Sequence, residues 1–199
     1  MKNWFFLLLA LSLVACGGNN NKLKNGAGGY QLTDVSGSNW QRAMRKDVNG
    51  NLLESGFFAN GKKAGTWLEY APGNEFPTRL ISYAEGEFNG LTIQFSNVGQ
   101  IEIMANYLNN KLDGRWVKYR FARPEEEANY KDGQLDGNVI KYDIRNGQIL
   151  SSAQYKEGKM NGIYRTYNEA GQITTEYEYR NGQQVRGGIV NPSDTNAPR

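Results

Sequence analysis

The chain has 199 residues, with 23 Lys and Arg against 20 Asp and Glu, 24 Gly, one Cys and no His. Without histidine or a second cysteine, Ser-His-Asp and Cys-His catalysis, the usual Cys/His zinc sites and an internal disulfide are all ruled out. A formal charge of +3 gives no argument for nucleic acid, which is met by a clustered basic face.

The amino terminus runs Met1, Lys2, Asn3 and then an apolar stretch from Trp4 to Ala15 with five leucines. This is the layout of a signal segment over residues 1–15. It is shorter than the ~20 residues that a spanning helix needs. The core ends in Leu13-Val14-Ala15-Cys16-Gly17, which resembles a bacterial lipobox. That resemblance implies cleavage before Cys16 and a diacylglyceryl group on its sulfur. More than one acyl chain at the new terminus holds a protein stably on a membrane. No acidic residue follows Cys16 directly, and likeness to bacterial lipoproteins then implies the cell envelope, at the outer membrane facing the periplasm. A secretory signal with an incidental cysteine is the competing reading. Residues 16–29 are rich in Gly, Asn and Lys and read as a flexible tether.

Beyond the tether one spacing dominates. Phe58, Tyr83, Tyr107, Tyr130, Tyr155 and Tyr179 follow at intervals of 25, 24, 23, 25 and 24 residues, and a fixed period marks a repeat architecture. Three residues after each ring stands a turn residue: Gly61, Gly86, Asn110, Gly133, Gly158 and Gly182. Four further on stands a second glycine: Gly65, Gly90, Gly114, Gly137 and Gly162, with Arg186 at that place in the last copy. Asn-Gly and Asp-Gly pairs supply the positive φ of tight hairpin turns, so these glycines read as backbone geometry rather than ligand contacts. After the second glycine comes a β-branched and aromatic run such as Val139-Ile140-Lys141-Tyr142, which reads as strand. A second turn follows, as at Val98-Gly99, and the return strand alternates through Ile101, Ile103, Ala105 and Tyr107 on one face.

The expected fold is therefore all-β: an elongated, single-layer antiparallel meander of about five tandem hairpins of ~24 residues, occupying residues 30–187. The tyrosines should form a column spanning consecutive hairpins. Asn49-Gly50-Asn51-Leu52 begins a partial unit, and Trp40 and Met44 are expected to cap the amino-terminal edge. Pro72 and Pro77 in one second turn, and Pro124 with Glu125, Glu126 and Glu127 in another, mark irregular loops at 71–79 and 120–129, because proline cannot donate to a ladder. Residues 188–199, with Pro192 and Pro198, read as a disordered tail.

The Tyr-x-x-Gly-x-x-x-Gly-x-x-x-x-Tyr spacing is clearest in Tyr155, Gly158, Gly162 and Tyr167. It resembles the MORN repeat in its bacterial variant form, over residues 44–187. The resemblance implies a non-catalytic interaction module, and it brings the antitoxin label that some variant-repeat proteins carry. Together with export it implies an unknown protein partner in the envelope, in an immunity or assembly role. No cofactor and no metal are expected.

Two groups of residues carry alternative readings. Trp67 and Trp116 either fill the array's core or stand exposed as contacts for a partner, and together with the tyrosines they could serve as exposed stacking platforms for a carbohydrate or lipid headgroup. Glu125, Glu126 and Glu127 are the densest acidic cluster, either a solvated loop or a contact for a cation or partner. Asp113 and Asp136 sit at turns, where Asp bonds its own backbone. No glycine-rich segment precedes a helix, so a phosphate-binding loop has no context.

Overall fold

The computed structural model describes residues 24–191; the signal segment, Cys16, most of the tether and the end of the tail lie outside them. The described residues form one open antiparallel sheet of 16 strands in sequence order. They are β1 (Lys24–Asn25), β2 (Gln31–Asp34), β3 (Trp40–Lys46), β4 (Leu52–Ala59), β5 (Lys62–Glu69), β6 (Arg79–Ala84), β7 (Glu87–Phe95) and β8 (Ile101–Leu108). There follow β9 (Lys111–Arg120), β10 (Arg123–Lys131), β11 (Gln134–Tyr142), β12 (Ile149–Lys156), β13 (Lys159–Met160), β14 (Gly162–Tyr167), β15 (Ile173–Arg180) and β16 (Gln183–Ile189). β13 lies off the main path, beside β12. Strands about 4.8 Å apart give a ribbon roughly 70 Å long. Among the described residues no helix is long and apolar enough to cross a membrane.

Turn chemistry explains the hairpins. Asn60 and Gly61 take φ of 51° and 76°, Asp132 and Gly133 51° and 83°. Two successive left-handed residues make the type I′ turn, whose twist matches that of its strands. Asn109 and Asn110 manage the same turn at 50° and 65°, since asparagine tolerates that region.

One face of the sheet carries the rings. Tyr30, Phe58, Trp67, Tyr83, Phe88 and Tyr107 follow edge to face, with successive centroids 5.3, 5.2, 6.2, 5.1 and 5.5 Å apart. Beyond Tyr107 the column continues differently. From Tyr107 onward three of the tyrosines pair across their I′ turns with an apolar side chain, Tyr107 with Leu112, Tyr130 with Leu135 and Tyr155 with Met160, while Tyr179 faces Gln184. Beside the column runs the buried row Ala43, Trp67, Ile81, Ala105, Ala128, Val139 and Ala153. The reverse face carries Leu68, Leu80, Ile93, Met104 and Val117 in cross-strand register, and then turns polar at Glu127.

The structure departs from the sequence reading in four places. Trp40 and Met44 do not cap the array: β3, which holds both, is followed outward by β2 and β1. Lys24 and Asn25, expected in the tether, pair with Leu32 and Gln31. At the other end Gly188 and Ile189, expected in the tail, belong to β16. The fourth departure concerns 120–129, which is not a loop. Its turn is confined to Phe121 and Ala122, and Pro124 to Asn129 lie in β10. Pro124 is tolerated because pairing with β11 begins only at Glu126, so its missing N–H faces no ladder on that side.

Candidate functional site

In an antiparallel meander alternate turns share a long edge. One edge carries the I′ turns, built of Asn, Asp, Glu and Gly, such as Glu85-Gly86 and Asn181-Gly182. The other carries 47–51, 70–78, 96–100, 121–122, 143–148 and 168–172, and on it Val48, Phe76, Val98 and Phe121 stand exposed at four consecutive turns.

Three of these side chains belong to adjoining loops. A Cβ on Gly99 would lie 3.0 Å from the Phe76 ring, which seats the 70–78 loop against the 96–100 turn. Ser96, Ile101 and Phe121 in turn border one open hollow of about 390 Å³, with Lys118 and Glu125 also on its wall. The two proline-marked segments of the sequence thus flank the 96–100 turn on one edge, with Val98 between them.

Local bonds hold each loop. The Ser96 hydroxyl accepts from the Gln100 N–H at 3.1 Å and the Val98 N–H at 3.4 Å. Thr78 N–H donates to the Glu69 carbonyl at 2.7 Å and closes the longer loop. Arg123 donates to the carbonyls of Ile144 and Arg145, tying the 121–122 tip to the next turn. Arg145 also binds Asp143, and this hydrogen bond brings the Asp143 carboxyl down to about 2.

The 121–122 turn is at odds with its own residues. Phe121 and Ala122 take φ of 51° and 59°, the two left-handed positions filled in the other tight turns by Asn, Asp or Glu followed by Gly or Asn. A side chain with Cβ costs ~1–2 kcal/mol in that region. Phe121 is 77% exposed, so packing within the chain does not offset the cost. Backbone strain kept at an exposed tip on a rigid hairpin is characteristic of functional positions.

The expected site residues separate. Trp67 is fully buried, with Nε1 donating to the Phe57 carbonyl at 3.0 Å. It fills the space over Gly56, where a Cβ would come within 2.3 Å of the indole, and it is unavailable to any ligand. Trp116 is half-buried between Ala105 and Ala128. The glutamates do not form one cluster. Glu125 lies 2.9 Å from Lys118 and 2.6 Å from Arg120; the Lys118 hydrogen bond, joined by the charge of Arg120, holds its carboxyl below the usual range. Glu127 pairs with Arg115 at 3.0 Å, and Glu126 faces Lys118 across the ladder. Of the three, only Glu125 borders the hollow. Among the described residues no group of three or more acidic, His or Cys side chains is placed to hold a metal.

A second polar cluster went unseen in the sequence. Glu54 accepts from the Tyr30 hydroxyl and Arg45, and from Lys63 at 3.1 Å, with its own side chain only 14% exposed. Burial alone would raise its carboxyl, but these donors bring it down to about 2. Lys63 lies over the Trp67 ring at 4.1 Å. Burial, then the hydrogen bond to Glu54, pushes the Tyr30 phenol up to about 12. The cluster fixes the amino-terminal units to one another. The cross-strand pairing of Arg45 with Glu54 is legible only once the register is known.

No protein-family model matches the chain. No curated protein matches it at a significant level. Among solved structures a TarM mutant of S. aureus, in complex with fondaparinux, alpha-GlcNAc-glycerol and UDP, aligns at 12% identity over 49% of this chain and 19% of its own, with a TM-score of 0.34. A likeness that slight bears on neither the activity nor the ligands of this chain.

Proposed function

We propose that this chain is a non-catalytic repeat scaffold of the cell envelope, held on a membrane by lipid at Cys16, which binds a protein partner along its apolar edge. The observation that carries this reading is the Phe121 tip, a large ring presented to solvent by a strained turn. Phe76 and Val98 extend the tip into a patch. Aromatic anchors on a rigid support are the usual centres of protein interfaces. The alternative, a carbohydrate or headgroup module working through exposed aromatics, loses one of its candidates because Trp67 is buried.

Photo-crosslinking in the native envelope tests the proposal. A photoreactive side chain at Phe121 or Val98 should capture one protein species, which the same group at Leu108, near the opposite edge, does not. Equal capture from both edges would remove the edge from the proposal. Loss of membrane fractionation in Cys16→Ser tests the anchor separately.

A further inference from the structure

Two hollows adjoin the strained 121–122 turn, one toward β8 and one toward β11. In the first, Lys118 and Arg120 both hold Glu125, so its cations have an acidic partner inside the chain. The second measures about 340 Å³ and is bordered by Arg123, Pro124, Glu127, Tyr142, Arg145 and Asn146. Its charges are arranged differently. Glu127 is taken by Arg115 at 3.0 Å, and Asp143, beside the hollow, is taken by Arg145. Glu169, 91% exposed, comes no nearer to Arg145 than 3.9 Å. Arg123 is thus left without an acidic partner among the described residues.

That guanidinium is nevertheless held in place. Its Nη1 donates to the Ile144 carbonyl at 3.0 Å and to the Arg145 carbonyl, which fixes the plane of the fork and uses one of its three nitrogens. Among the described residues Nε and Nη2 make no hydrogen bond. Arg145 binds Asp143 through Nε and Nη2, which leaves its Nη1. The hollow therefore combines a positioned cation that lacks a counter-charge, a second guanidinium with a donor to spare, and an apolar wall of Pro124 and Tyr142. Phe121, 77% exposed, stands two residues from Arg123 across the turn.

We propose that this hollow receives the carboxylate of an Asp or Glu side chain of the partner protein, bound by Arg123 and backed by Arg145, while a neighbouring apolar residue of the partner meets Phe121. The inference rests on the partner-binding reading of the apolar edge and names the chemistry that the edge selects. A planar guanidinium matches a carboxylate with two parallel donors. Because the carbonyls of Ile144 and Arg145 already hold Arg123, little side-chain freedom is lost when the carboxylate arrives. The edge runs on from Phe121 through Val98 to Phe76, so the carboxylate belongs to a side chain within a continuing segment rather than to a chain end. An Arg123 that only tied two turns together would show no preference between a carboxylate and an amide.

The test is titration of the full chain, in detergent, with the peptide acetyl-Leu-Glu-Leu-amide, read by backbone amide and arginine Nε–H shifts. Saturable shifts are expected at Arg123, Tyr142 and the 143–148 turn. The matching peptide with Gln in place of Glu should bind at least about threefold more weakly. Arg123→Gln should bring the Glu peptide down to the level of the Gln peptide. The comparison of the two peptides on the unaltered chain decides the matter even if that variant does not fold. No saturable binding, shifts that map elsewhere, equal affinity for the two peptides, or a preference for Glu that survives in Arg123→Gln overturns the proposal. Inorganic phosphate that shifts the same residues where the Glu peptide does not would make this a phosphate site and overturns it as well. Protein capture at Val98 that persists in Arg123→Glu removes the carboxylate and leaves the apolar edge standing, whereas an edge that captures nothing fails on its own account.

Discussion

Gly137 lies directly across the ladder from Tyr155, and this glycine cannot carry a side chain on the far side of its own bulge. Its φ is 116°, and a Cβ would sit 3.1 Å from the Cβ of Asn129. The Asn129 amide donates to the Asn138 carbonyl at 3.3 Å, bridging the gap that the bulge opens in the β10–β11 ladder. Asn106 does the same for the Arg115 carbonyl at 3.1 Å. Gly137→Ala should therefore cost about 2 kcal/mol, from the backbone conformation and from crowding of the bridge. Urea unfolding measures this, and an unchanged midpoint would mean that the bulge relaxes at no cost.

Tyr130 faces Gly114 on one side and Leu135 on the other, so its ring touches two units at once. Removing it in Tyr130→Ala should cost about 3 kcal/mol. In an array stabilised by nearest-neighbour interfaces the loss should open β9, β10 and β11 together. Amide hydrogen exchange would show protection falling in all three strands. A fall confined to β10 would argue that the column does not couple its units.

Acid should weaken the amino-terminal end first. The folded-state value of Glu54, about 2, lies below its ordinary 4.5. A depressed carboxyl contributes stability fully above the ordinary value, and the contribution disappears as pH falls from about 4.5 towards 2. Allowing for partial solvent screening, the change is on the order of 2 kcal/mol. Glu54→Gln should be less stable than the parent at neutral pH, with Arg45 and Lys63 left without their acceptor, and the difference should shrink on acidification. A constant gap from pH ~6 to ~2.5 would show that the charge of Glu54 contributes nothing.

What the sequence reveals here is what chemistry forces to be uniform. A type I′ turn needs left-handed residues, so Asn-Gly and Asp-Gly recur at a readable period. The tyrosine opposite each second glycine recurs for the same reason. The position two residues after the first turn glycine does not, being Lys63, Phe88, Leu112, Leu135, Met160 and Gln184 in successive units. Its only requirement is to lie against the preceding ring, and several side chains meet it. The 121–122 turn was hidden because neither residue is a turn former. Pro124 pointed to a loop because a proline's tolerance inside a strand depends on where the neighbouring ladder begins, which only the fold reveals.

That hidden turn gives the sharpest separation of stability from binding. Replacing Phe121 and Ala122 by Asn and Gly supplies the residues that the I′ geometry prefers, and it should stabilise the chain by about 1–2 kcal/mol. The same double change removes the exposed ring from the apolar edge, so capture of the partner at Val98 should fall sharply while the thermal midpoint rises. Sites that trade stability for contact behave in this way. If the double variant were more stable and captured the partner as well as the parent does, the strain at Phe121 would have no part in recognition. If it were less stable, the left-handed backbone would not be the cost assigned to it, because Asn and Gly adopt that backbone more readily than Phe and Ala do.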